Sequence, residues 1–163
     1  MKLVSWNCRG LGSPHKVKAI QDLLKMESPD LIMIQETKLE EDTILDLGKD
    51  NRRKKEGIAV SARGASGGLA TLWNEKTFDL HSSFATQHWI YTQLTHKDCN
   101  IRLSLFNIYV PTLYREKREC WNTIADFLEI YFPPNIILDG DLNIVPKADE
   151  KKRGFFRNDT LIK

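Results

Sequence analysis

Two apolar patterns divide this chain into elements. Leu31-Ile32-Met33-Ile34 runs without a polar break, which predicts a strand covered on both faces. Lys2–Asn7 and Ile136–Leu138 read as shorter buried strands. Between the first two strands the pattern turns helical. Val17, Ile20, Leu23 and Leu24 recur at intervals of about three to four residues, predicting an amphipathic helix over Lys16–Met26. Ser13 is placed to cap it, with Pro14 at its first position. A second helix is predicted over Glu116–Tyr131, with Trp121, Ile124, Ala125 and Leu128 on one face.

The middle of the chain is less regular. Leu39–Leu47 is weakly helical and acidic, and "GKDNRRKKEG" reads as a charged, glycine-bounded loop. Strands are then predicted over Ile58–Ala62, Leu69–Trp73, Phe78–Phe84, Trp89–Thr95 and Arg102–Val110, parted by turns such as "RGASGG" and "HKDCN". The order β-α-β-α, a run of strands, then α-β predicts an α/β layered sandwich. Hairpins in the middle exclude a purely parallel doubly wound sheet. Trp6, Trp73, Trp89 and Trp121 fall within these patterns and are expected in the core.

Composition narrows the class only a little. A chain of 163 residues, 41% hydrophobic and 28% charged, suits one globular domain. A net charge of +2 permits nucleic-acid binding without arguing for it. Cys8, Cys99 and Cys120 form neither a CxxC pair nor a zinc set. An odd cysteine count without a secretory leader fits a reducing compartment, so the chain is expected inside the cell, in nucleus or cytoplasm. No segment has the length of a membrane span. "NRRKK" reads as a solvated loop, a nuclear signal or a phosphate patch.

The candidate chemistry sits at strand ends. One strand ends at Asn7, one at Gln35-Glu36-Thr37, one at Asp139-Gly140-Asp141-Leu142-Asn143, and Leu103–Val110 carries Asn107 and Tyr109 near its end. Any one such residue is explained by turn formation. Together they would line one edge of a sheet with hard oxygen ligands. Mg²⁺ prefers that donor type and keeps positions open for water and a phosphate oxygen.

"SWNCRGLG", "LIMIQETKL", "SGGLATLW", "NIYVP" and "ILDGDLN" resemble, in this order, the motifs of the endonuclease/exonuclease/phosphatase superfamily. The chain is most similar to the apurinic-type endonuclease domain of plant LINE-like (non-LTR) retroelements, above all in "SWNCRGLG" and "QETK". The resemblance runs from Lys2 to about Arg157. It implies two mixed sheets face to face with helices outside, and Mg²⁺-dependent (Mn²⁺ as a substitute) cleavage of DNA phosphodiesters. By the same resemblance, Asn7 lies near the metal and orients the catalytic aspartate, and Glu36 is the principal metal carboxylate. Tyr109 faces the scissile phosphate, Asp141 orients or deprotonates the attacking water, and Asn143 donates to the phosphate. A cation, an amide and a phenol all counter the charge that phosphodiester cleavage builds. Arg9 and Lys38 flank two site strands and either meet DNA phosphates or are solvated. Asp139 is expected to close a turn, and Gly67 and Gly68 to be structural.

The resemblance also implies further strands and a Ser-Asp-His-type motif near the end of such domains. His15, His81, His88 and His96 all precede "GDLN", so that histidine and its aspartate partner are not in the chain. The expectation is a partial domain over residues 1–157 with a tail over 158–163, the C-terminal half missing and activity weak or lost. Ile136, Ile137 and Leu138 would then be uncovered, favouring self-association. Two alternatives stay open: a phosphomonoesterase or phospholipase of the same superfamily, and a non-catalytic remnant that binds nucleic acid or protein.

Overall fold

The computed structural model describes residues 1–47, 49–50, 53–64 and 67–144. In chain order the elements are β1 (Leu3–Asn7), α1 (Pro14–Glu27), β2 (Leu31–Gln35), α2 (Glu41–Asp46), β3 (Lys49–Asp50) and β4 (Arg53–Val60). They continue with β5 (Leu69–Asn74), β6 (Phe78–Ala85), β7 (Trp89–His96), β8 (Arg102–Tyr109), α3 (Tyr114–Tyr131) and β9 (Ile136–Asp141). The first sheet has the order β1-β2-β5-β4-β3 and the second β6-β7-β8-β9. Each is mixed. β1 and β2 run parallel, as do β8 and β9, and the other neighbours are antiparallel. The sequence reading of two mixed sheets face to face with helices outside holds.

Strand alternation builds three apolar layers. Ile32 and Ile34 point to a cluster with Ile20 of α1 and Ile44 of α2. Leu31 and Met33, the other face of β2, meet Leu94 and Leu105 between the sheets. Phe106 and Ile108 of β8 pack outward on Cys120, Ile124 and Phe127 of α3. Burying one such side chain contributes roughly 1.5–3 kcal/mol. α1 begins as its sequence dictates: Ser13 Oγ accepts from Lys16 N, and Pro14 starts the first turn.

Five readings are corrected. "GKDNRRKKEG" is not all loop: Lys49–Asp50 pairs with Arg53–Lys54, and β4 runs from Arg53 to Val60, short of Ala62. Register with β5, where Glu56 faces Trp73, makes a strand of a charged segment. Within "NRRKK", Lys55 donates to the Pro29 carbonyl at 2.6 Å, while Asn51 and Arg52 lie outside the described residues. Trp6 is 37% exposed because β1 is a sheet edge among the described residues. β9 is an edge too, so it is not buried on both faces. Ile136 and Leu138 are exposed on it, but Ile137 turns inward against the layer between the sheets. On α3 the buried positions are Lys117, Cys120, Ile124 and Phe127, and Ala125 is exposed. The boundary at residue 157 and the 158–163 tail lie outside the described residues.

Candidate functional site

Two β-α-β crossovers, β1–α1–β2 and β8–α3–β9, bring four parallel-running strands to a common end. Ligand sites in α/β sheets form at such carboxyl ends. Asn7 closes β1 and Glu36 follows β2. Tyr109 closes β8 and Asp141 closes β9. Two hydrogen bonds join the sheets there. Asn7 Nδ2 donates to Asp141 Oδ2 at 2.6 Å, and Tyr109 Oη donates to Glu36 Oε1 at 2.6 Å.

Glu36 owes its direction to its backbone. In an extended strand it would point away from the side that Gln35 faces. Its φ of +53° breaks the alternation. A left-handed non-glycine residue costs about 1–3 kcal/mol and persists only where its surroundings over-determine it. Here they do. On one flank Gly10 N donates to the Glu36 carbonyl at 2.6 Å and Leu11 N to the Thr37 carbonyl at 2.8 Å. On the other, Thr37 N and Lys38 N donate to the carbonyls of Gly68 and Gly67, both at 3.1 Å. A Cβ on Gly68, whose φ is +87°, would run into Thr37 Oγ1. The two glycines thus act structurally, as backbone partners of the Glu36 loop.

Asp141 is oriented on both oxygens. Oδ2 accepts from Asn7, and Oδ1 accepts from Asn143 N at 2.9 Å. Gly140 precedes it because β8 comes too close for a side chain: a Cβ there would meet the Ile108 backbone, and φ is +140°. Asp139 Oδ1 accepts from Gly140 N at 2.6 Å, which confines it to local chain geometry. Asn143 turns its amide to the Val110 carbonyl at 2.5 Å. Its own carbonyl accepts from Lys117 Nζ at 2.9 Å.

Burial first, then the Glu36 hydrogen bond and the Glu36 and Asp141 charges, hold the Tyr109 phenol well above its ordinary range. Tyr109 therefore stays a proton donor at neutral pH. Arg9 and Lys38 are exposed at the rim, and the Lys38 stem lies over Gly10. Lys16, which the sequence reading passed over, braces the rim by donating to the carbonyls of Arg9 and Gly10 at 3.2 and 3.1 Å. Sequence reasoning also passed over Lys117 as the support of Asn143. Its signal was a lysine on the apolar stripe of α3.

The donor set is oxygen throughout. Glu36, the Asn7 amide oxygen and the nearby Asp141 suit a Mg²⁺ ion that keeps several waters. Among the described residues no three His, Cys, Asp or Glu side chains converge, so no zinc-type cage is built there. The residues present fit a sparsely liganded Mg²⁺.

Comparison with known proteins extends the resemblance. The profile of the endonuclease/exonuclease/phosphatase family matches residues 4–158. An exodeoxyribonuclease of Bacillus subtilis (strain 168) is 27% identical over 175 aligned residues, covering 95% of this chain and 66% of its own. The crystal structure of an AP endonuclease from Leishmania major has a TM-score of 0.71 at 19% identity, over 94% of this chain and 58% of that one. A 3′ phosphatase from Neisseria, solved with a product DNA hairpin, has a TM-score of 0.65 at 19% identity, over 91% and 60%. The chain spans less than two thirds of the length of each. With four strand tips meeting at one end and the family profile matching nearly every residue, the chain belongs to the endonuclease/exonuclease/phosphatase family.

Proposed function

We propose that this domain is a Mg²⁺-dependent, DNA-directed phosphodiesterase of endonuclease type, derived from a plant LINE-like retroelement and weak or inactive on its own. The meeting of Asn7 with Asp141 and of Tyr109 with Glu36 across the two sheets carries the reading. Glu36 and the Asn7 amide oxygen would hold the metal, and Asp141 stands beside them. Bound Mg²⁺ supplies positive charge against the phosphoryl oxygens. The chain's own groups do the rest. Asp141, fixed by donors on both oxygens, is placed to orient a water and take its proton. Tyr109, whose one phenolic proton goes to Glu36, would turn from it to donate to a phosphoryl oxygen. The Asn143 amide would leave the Val110 carbonyl to do the same. Arg9 and Lys38 lie at the rim where a DNA backbone would pass.

The proposal of weak activity rests on the histidines of the described residues. Among the described residues no histidine ring is hydrogen-bonded to Glu36, Tyr109, Asp141 or Asn143. Losing one member of a catalytic unit commonly costs several orders of magnitude in rate. The same observation favours a second reading, a domain that holds DNA without cutting it. Nicking of supercoiled plasmid with Mg²⁺ supports the enzyme, whereas salt-dependent DNA retention without nicking supports the binder. The metal assignment has its own test. Glu36→Ala should abolish Mn²⁺ binding by calorimetry, and unchanged binding would refute it.

Ile136 and Leu138 are exposed on the outer face of β9, an edge strand among the described residues. We therefore place self-association there, read by sedimentation velocity across a concentration series. No helix among the described residues is long and apolar enough to cross a membrane. We keep the nucleus or cytoplasm as the proposed location, where a DNA substrate would be met.

A further inference from the structure

Between the sheets, in a layer that is mostly apolar, lies a cluster of side-chain amides that the reaction does not use. Asn107 of β8 is fully buried and reaches across to the opposite sheet. Its Nδ2 donates to the Ala70 carbonyl of β5 at 2.7 Å, with longer contacts to the Ile34 carbonyl of β2 at 3.3 Å and Thr71 Oγ1 at 3.4 Å. Its Oδ1 accepts from Gln35 Nε2 of β2 at 2.7 Å, and Gln35 also donates to Ser5 Oγ of β1 at 3.2 Å. One polar knot therefore ties β1, β2 and β5 of the first sheet to β8 of the second. Another buried amide–hydroxyl pair, Gln93 with Ser104, joins only neighbouring strands of one sheet.

The position of the knot gives its meaning. Gln35 immediately precedes Glu36, and Asn107 stands two residues before Tyr109, on the same face of β8. Apolar surfaces attract without direction and tolerate sliding. A one-residue slip would carry a strand tip about 3.3 Å, whereas a working site needs its groups within about 0.5 Å. Buried amides with satisfied partners resist such slip, because a shifted amide leaves donors and carbonyls unpaired in a dry layer.

We propose that the Gln35–Asn107 pair is the register pin between the sheets, and that these two are positioning residues that hold Tyr109 against Glu36. The proposal concerns geometry and stands whether or not the domain binds metal or cuts DNA.

The test is a double-mutant cycle between Glu36→Gln and Tyr109→Phe, read as unfolding equilibrium constants in urea. In the native background the two sites should be coupled by about tenfold. Gln35→Met removes the two Gln35 bonds of the knot, to Asn107 and to Ser5, and leaves Asn107 its donors to the first sheet, so it should fold. Coupling should then fall to about onefold. Asn107→Leu should act the same way where it folds. Leu105→Ala, a cavity in the same layer without a polar partner, serves as the equally destabilised control and should keep the tenfold coupling. Coupling retained in Gln35→Met, or lost equally in Leu105→Ala, would overturn the proposal. Mn²⁺ affinity of Gln35→Met is a separate arm. Failure of the metal reading removes Mn²⁺ binding from the native protein and leaves the cycle intact.

Discussion

The two crossovers deliver their polar tips to one place but hold them differently. In β1–α1–β2 the receiving strand is interior, and the loop after it is gripped on both flanks, by Cys8, Gly10 and Leu11 on one side and Gly67 and Gly68 on the other. In β8–α3–β9 the receiving strand is an edge. Asp141 is held by Val110 N at 2.8 Å on its single strand flank, and beyond that by Asn7 from the other sheet. The first helix has a side-chain cap and the second has none. The backbone at Glu36 is thus gripped on both flanks within the first sheet, while that at Asp141 is gripped on one, and each carboxylate takes a hydrogen bond from the sheet opposite.

That asymmetry can be broken from either side. Gly140→Ala should do the most damage. It combines an unfavourable φ with a clash against backbone that cannot rotate away, a loss of about 4 kcal/mol in urea denaturation. Gly68→Ala should cost less, about 2–3 kcal/mol, because its main obstacle is the Thr37 side chain, with the Lys38 nitrogen farther off at 3.1 Å. If Gly68→Ala costs more than Gly140→Ala, the ranking of the two units is wrong.

The two buried thiols sharpen the contrast by pH. Cys8 is raised chiefly by burial and donates to the Gln35 and Glu36 carbonyls. Cys120 is pushed up to about 11 by burial alone. A thiol that titrates higher in the folded state stabilises it fully below its ordinary value of 9.0. That contribution is lost as pH climbs from there to about 11. Stability should therefore fall by about 2 kcal/mol over that window through Cys120. Cys120→Ala should flatten the fall, and an unchanged slope would remove Cys120 as its cause. The smallest effect is expected at the open edge. Leu138→Lys should change stability by only about 0.5 kcal/mol, yet shift sedimentation toward the monomer. A large loss of stability instead would mean that β9 is covered within the single chain.

Much of this was readable beforehand, for physical reasons that differ by element. Ser13-Pro14 and the 3.6-residue spacing set α1, and the unbroken run at β2 announced two covered faces. The β3–β4 hairpin escaped because its charged residues have no alternation of their own, and pairing with β5 supplies what propensity lacks. Trp6 was misplaced because a pattern along one strand cannot tell an edge from an interior. The site residues came from motif order, but their contacts did not. Glu36 faces Tyr109 only because its backbone turns left-handed, and Gln35 with Asn107 looked like two more polar residues at strand ends.

Each sheet is drawn from one uninterrupted stretch, Leu3–Asn74 and Phe78–Asp141, and a tight turn at Asn74–Thr77 joins them. A ribosome therefore releases the described strands of the first sheet before the described strands of the second. A chain cut at that turn would yield two fragments, each holding the described strand pairings of its own sheet. Mixing them is a complementation experiment. Recovery of native circular dichroism would show that the packed faces recognise each other without covalent help.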